Sequence, residues 1–161
     1  MILVDANLLI YVINEDAPHH RAAKDWWEAV LSGNNVVGIP WVVALAFLRI
    51  TTNPRIFPVP LSADQAIAYV NEWLEHPVTT LVSPRDKHWY ILRNLLLDSG
   101  LAGNLTTDAH IAALALEQGY QVYSADNDFK RFAGVRHVNP LVGPSSRSIH
   151  EEMEEYSTNQ K

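Results

Sequence analysis

The sequence predicts an α/β fold with a central parallel sheet of about five strands and helices on both of its faces. Short apolar segments alternate with stretches of helical period, the pattern of strand–helix–strand units. Acidic residues stand directly after those segments or at the starts of helices: Asp5, Asp108, Asp126 and Asp128, with Glu15 as a weaker fifth. Carboxylates in such places do not belong to a core. In open parallel sheets the crevice beyond the carboxyl ends of the strands is where ligands bind. With 161 residues, 48% of them hydrophobic, the chain suits one domain with a substantial core.

Each element has its own signal. Residues 1–4 read as a buried strand, and Asn7 to Ile13 as a helix with Asp5 or Asn7 near its start. His19 to Leu31 places Ala22, Ala23, Trp26, Trp27 and Val30 at helical spacing, and Ser32-Gly33-Asn34-Asn35 ends it. Val36 to Ile39 is a second strand, stopped by Pro40. Trp41 to Thr51 is an apolar helix closed by Asn53-Pro54. Ser62 with Gln65 forms a capping-box signature for a helix to about Glu75. Val78 to Val82 is a third strand. A helix from Arg85 to about Asp98 follows Ser83-Pro84 and is stopped by Gly100. Thr107 or Asp108 caps the next helix, which Gly119 ends. Gln121 to Ser124 and Val135 to Asn139 are the last strands. From Gly143 onward the chain is polar, with an acidic run.

Composition excludes several classes. There is no cysteine, so disulfides, thiolate metal sites and cysteine nucleophiles are absent, in keeping with a reducing cytoplasm. The apolar N-terminus has no basic lead and carries Asp5 early, unlike a signal peptide. No stretch approaches the roughly 20 apolar residues of a membrane span. Twelve basic against eighteen acidic residues give a formal charge of −6, which argues against a broadly basic nucleic-acid surface. The four acids between Glu151 and Glu155 bring the rest of the chain nearer neutrality.

Each acid also has a local explanation. Asp5 and Asp108 are well placed as helix caps, and Asp126-Asn127-Asp128 is ordinary turn composition. Their combination is more specific, because three separate segments supply acids at equivalent places. A cluster of hard oxygen donors suits Mg²⁺ or Mn²⁺ and phosphate chemistry. Asp5, Asp108 and Asp126 are the expected metal ligands, with Asp128 a further ligand or an orienting acid. Asn7, Thr107 and Ser124 are candidate hydrogen-bond partners. His110 is a candidate ligand or proton carrier, although its spacing from Asp108 keeps the two off one helix face.

The motifs together resemble a known family. Met1-Ile2-Leu3-Val4-Asp5-Ala6-Asn7 is similar to the opening of a PIN domain. Leu105-Thr106-Thr107-Asp108-Ala109-His110-Ile111-Ala112-Ala113 resembles its central acidic motif, and Tyr123-Ser124-Ala125-Asp126-Asn127-Asp128-Phe129 its closing motif. Pro40 to Pro54, with Phe47-Leu48-Arg49 and Thr52-Asn53-Pro54-Arg55, is similar to VapC-type toxins. The resemblance implies a PIN-like three-layer α/β/α domain over residues 1–141, with 142–161 left as a polar, acidic tail. It further implies a metal-dependent ribonuclease in the cytoplasm that acts on RNA and is neutralised by a VapB-type antitoxin. A homodimer is expected too, with Trp26, Trp27 and Phe47 too apolar for a lone monomer.

One residue departs from the pattern. PIN domains commonly carry a Glu just before the Phe-Leu-Arg segment, and here Ala46 stands there. That raises the alternative of a catalytically weak RNA- or protein-binding relative. A phosphoacceptor receiver domain fits less well, because Asp5 has no acidic neighbour and Lys130 lies inside a turn. An EF-hand fails for want of the Gly and distal Glu after Asp126-Asn127-Asp128. Trp73 and Trp89 read as packing residues, and His88 as a lesser candidate for the cleft. Arg49, Arg55, Arg85 and Arg93 are candidate phosphate contacts.

Overall fold

A computed structural model describes residues 1–100 and 103–142; the proposed tail, apart from Val142, lies outside the described residues. Five parallel strands form one sheet: β1 (Ile2–Val4), β2 (Val37–Pro40), β3 (Thr79–Val82), β4 (Gln121–Tyr123) and β5 (His137–Val138). Their order is β3-β2-β1-β4-β5, so β1 is central. The helices between them are α1 (Ala6–Ile13), α2 (His20–Leu31), α3 (Trp41–Thr51), α4 (Ala63–Leu74), α5 (His88–Ser99) and α6 (Thr106–Gln118).

Handedness then sorts the helices into layers. The chain steps outward from β1 to β2 to β3, then returns across the sheet to β4. Right-handed crossovers therefore put α1–α4 on one face and α5–α6 on the other. The packing agrees: α1 touches α2 and α3, α3 touches α4, and α5 packs on α6. The switch of direction falls between β1 and β4, so the crevice opens where Asp5 leaves β1.

Core burial explains the short strands. Leu3, Val4, Val37, Ile39 and Val122 are fully or almost fully buried, covered on both sides by helices. Gly38 in β2 has no room for a side chain: a Cβ there would stand 2.6 Å from Val82 Cγ2 and 3.0 Å from Leu3 Cδ1. Trp27, Phe47 and Trp73 form an aromatic cluster between α2, α3 and α4, with Phe47 and Trp73 centroids 4.9 Å apart. Trp26 stacks on Tyr123 at 5.8 Å. The apolar residues on which a dimer was expected are thus largely satisfied within the chain.

Several boundaries and burials differ from expectation. The α5 helix begins at His88 rather than Arg85, because Glu117 Oε2 and Oε1 accept the N–H groups of Arg85 and Lys87 and hold that stretch as a turn. Thr107 and Asp108 do not cap α6 but lie inside its first turn, since a single 3₁₀ turn at Gly103–Leu105 starts the rise earlier. That frees the Asp108 carboxylate from capping. Trp73 is buried as expected, whereas Trp89 is 70% exposed. Ser62 and Gln65 make the full reciprocal capping box.

Candidate metal centre at the strand ends

The centre begins with the chain leaving β1. Asp5 caps α1, Oδ1 accepting the Ala6 N–H at 2.7 Å. Its Oδ2 accepts from Ser124 Oγ at 2.7 Å and from Asn7 Nδ2 at 2.9 Å. Asn7 also donates to Ser124 Oγ at 3.0 Å and accepts the Ala125 N–H at 3.2 Å. The buried Ser124 hydroxyl in turn accepts the Asp126 N–H at 2.9 Å. These bonds tie the end of β1 to the end of the adjacent β4 and fix where Asp126 begins. Asn7 and Ser124 thus hydrogen-bond Asp5, while Thr107 is exposed and, among the described residues, makes no hydrogen bond to the carboxylates.

Asp126 Oδ1 accepts the Asp128 N–H at 2.9 Å, capping the 3₁₀ stretch Asn127–Arg131. Asp128 Oδ1 pairs with Arg131 Nε at 2.8 Å, a partner the sequence reading did not name. The first turn of α6 brings Asp108 in from the other side. One carboxylate oxygen from each of Asp108, Asp126 and Asp128 lies within 4.8 Å of the others. Opposite ligands of an octahedral Mg²⁺ stand about 4.2 Å apart, so the three oxygens suit such an ion after a small closure. Asp128 thus joins Asp108 and Asp126, and Asp5 stands outside this compact group. Among the described residues its Oδ1 accepts one hydrogen bond, from the Ala6 N–H, which leaves a lone pair for a cation.

Electrostatics supports a cation here. Burial, then repulsion from Asp5, Asp126 and Asp128, pushes the Asp108 carboxyl up to about 6. Burial is also the main cause that raises Asp5, which is 9% exposed, above the usual carboxylate range, partly opposed by the Ser124 and Ala6 hydrogen bonds. Protonation or a bound cation would relieve both.

His110 is turned elsewhere. Its Nδ1 lies 2.9 Å from His88 Nε2 on α5, and His88 Nδ1 lies 3.7 Å from Glu117 Oε2. Two positions from Asp108, the candidate ligand or proton carrier His110 thus has its Nδ1 engaged by α5 rather than by the carboxylates. His88 is likewise a helix-packing residue. Burial lowers both imidazoles, with repulsion from His88 adding to the shift at His110 and Glu117 opposing it at His88. Glu117 was missed, although its seven-residue spacing from His110 puts the two on one helix face.

The raised carboxyls have a measurable consequence. A group whose folded pKa exceeds its unfolded value contributes stability below the unfolded value and loses it as pH rises through the folded one. For Asp108 that window runs from 3.8 to about 6. The lowered histidines act with the opposite sign, so a variant comparison isolates the carboxyl. In chelator, the thermal stability of Asp108→Asn relative to the parent is expected to grow as pH rises from about 4 to about 6. A gap independent of pH would show that Asp108 carries no such strain.

Fold and site together define the class: the chain belongs to the PIN domain family, whose model matches residues 2–135. Relatives in sequence include VapC proteins of mycobacteria. Ribonuclease VapC37 of Mycobacterium tuberculosis is 44% identical over 140 residues, covering 87% of this chain and 97% of the relative. Ribonuclease VapC33 of the same species is 39% identical over 141 residues, with 88% and 99% covered. Among solved structures, VapBC2 from Rickettsia felis bound to a promoter DNA fragment matches with TM-score 0.65 at 18% identity, covering 86% of this chain and 98% of that one. Mycobacterium tuberculosis VapC20, titled a Sarcin-Ricin loop cleaving toxin, matches with TM-score 0.62 at 21% identity, covering 84% and 99%. At these identities the structural likeness carries the fold alone.

Proposed function

We propose that this chain is the toxin of a VapBC-type toxin–antitoxin pair, a cytoplasmic endoribonuclease that hydrolyses RNA phosphodiester bonds with Mg²⁺ or Mn²⁺. The observation that carries the reading is the meeting of Asp108, Asp126 and Asp128 within 4.8 Å at the switch point of a parallel sheet. A bound Mg²⁺ lowers the pKa of a coordinated water and offsets charge on the phosphoryl oxygens. Asp108, Asp126 and Asp128 would hold the ion, and Asp5, beside them at the end of β1, would add a fourth carboxylate. Asn7 and Ser124 keep Asp5 and Asp126 in register, and Arg131 restrains Asp128. The similarity to VapC ribonucleases over almost their whole length supports the same reading.

Ala46 favours a second reading, a PIN-like RNA- or protein-binding domain with weak catalysis. It is half-buried in α3 and supplies no carboxylate. One metal ion per chain, held by the three aspartates, is the expected stoichiometry.

The partners follow the toxin reading: an RNA substrate, a VapB-type antitoxin and a second copy of the chain. For the homodimer, exposed Trp41 and Leu45 on α3 and Ile67 on α4 replace the buried residues first considered. The purified chain should cleave RNA in Mn²⁺ or Mg²⁺, stop in chelator and recover on adding metal. Light scattering on the same preparation at micromolar concentration should give twice the chain mass. Cleavage that persists in chelator would defeat the metal mechanism; metal binding without cleavage would favour the second reading, and a clean monomer would remove the dimer.

A further inference from the structure

We propose that the outward face at the start of α5, built from Trp89, Tyr90 and Arg93 with Arg85 and Lys87 on the preceding turn, is a stacking platform for unpaired RNA bases. It deepens the ribonuclease reading by adding a substrate contact outside the carboxylate cluster. Trp89 is 70% and Tyr90 62% exposed, and neither belongs to the core cluster. The Arg93 guanidinium already lies over the Tyr90 ring, 5.3 Å from its centroid. Base stacking on aromatic rings, reinforced by arginine, is how proteins hold single-stranded nucleic acid without reading its sequence.

The platform is held in place by the helix that carries the candidate centre. Glu117 near the end of α6 accepts the backbone N–H groups of Arg85 at 2.9 Å and Lys87 at 3.0 Å. Gln118 donates to the Ser83 carbonyl at 2.9 Å. His88, the residue before Trp89, bonds His110 on the second turn of α6, two residues after Asp108. Turn, platform and Asp108 are therefore fixed to one helix pair, with the turn anchored about 14 Å along α6 from Asp108, a separation that a few nucleotides of RNA can span.

Charge selects RNA over a second copy of the chain. Arg85, Lys87 and Arg93 stand here against Asp86 and the Glu117 carboxylate, which is already engaged by the N–H groups of the turn, in a chain of formal charge −6. Self-association through this face would set three cations against their copies. RNA brings phosphates to the cations and bases to the rings.

The test measures binding and cleavage separately, on the full chain. A fluorescein-labelled single-stranded RNA of mixed sequence, and a hairpin displaying it as a loop, are titrated in chelator and followed by anisotropy. Trp89→Ala and Tyr90→Ala should each weaken binding about tenfold, whereas Trp89→Phe and Tyr90→Phe should retain it. Arg93→Gln should lower the salt dependence by roughly one phosphate contact. Val59→Ala, on an exposed loop, is the control. With metal, the alanine variants should raise KM and leave kcat near the parent value. Unchanged affinity and KM in both alanine variants would overturn the platform while leaving the ribonuclease reading intact. Aromatic-dependent binding without any cleavage would keep the platform and defeat that reading. A parent dimer that Trp89→Ala turns into monomer, with RNA affinity unchanged, would assign the face to a second copy and overturn the proposal.

Discussion

Asp108→Asn is expected to abolish saturable Mn²⁺ binding and to cut RNA cleavage by more than about a hundredfold. The magnitude follows from position: even partners one step removed from a metal ligand typically cost 10- to 100-fold when lost. Asp108 contributes one of the three oxygens that lie within 4.8 Å of one another. An amide keeps the shape and removes the charge, so the fold should survive, and relief of repulsion should make the metal-free variant more stable above about pH 6. Asp126→Asn and Asp128→Asn should behave similarly toward metal. Asp5→Asn should weaken binding less, because both Asp5 oxygens are engaged by Ala6, Asn7 and Ser124. Calorimetry with Mn²⁺ and a cleavage assay on the same preparations decide the order. Unaltered metal affinity in a folded Asp108→Asn protein would remove that residue from the centre.

The layered fold was legible because parallel strands buried on both faces leave short apolar runs bounded by breakers. Val37–Pro40 and Trp41–Thr51 lie within one residue of where the pattern predicts them. The acids stood out for another reason: each has a local use as a cap or turn residue, but three separate segments supply them at equivalent places. Which three would converge was not legible. That depends on the rotation of α6, and its start is set by a 3₁₀ turn that no side-chain cap announces. The direction of His110 was lost for the same reason, since its partner His88 is 22 residues away in sequence. The early start predicted for α5 failed through another long-range contact. Glu117 takes the N–H groups that a helix at Arg85 would have left to local caps. Trp89 shows the limit of pattern reading: a tryptophan inside a helix reads as a packing residue, and in the fold this one is 70% exposed.

Phe47→Ala is expected to destabilise the fold by about 3–5 kcal/mol, the usual cost of truncating a buried phenylalanine. The side chain is fully buried in α3 and meets Trp73 edge-on at 4.9 Å and Tyr69 at 6.5 Å across the contact with α4. Trp73 in turn meets Trp27 on α2 at 5.9 Å, so Phe47 supports the Trp73 ring through which α2, α3 and α4 meet on one face of the sheet. The neighbours are stiff aromatics in contact with one another, which limits collapse into the space left behind. A typical domain has only about 5–15 kcal/mol in total, so the variant should unfold at much lower urea with an unchanged slope. Phe47→Leu should lose less, because it keeps most of the apolar volume. The consequence reaches the centre by a definite path: α3 packs on α1, and Asp5 caps α1. Loosening α3 should therefore weaken Mn²⁺ binding modestly even where the variant stays folded. A loss below about 1 kcal/mol would mean that the aromatic cluster repacks without its central ring, and that the Phe-Leu-Arg segment serves something other than the core.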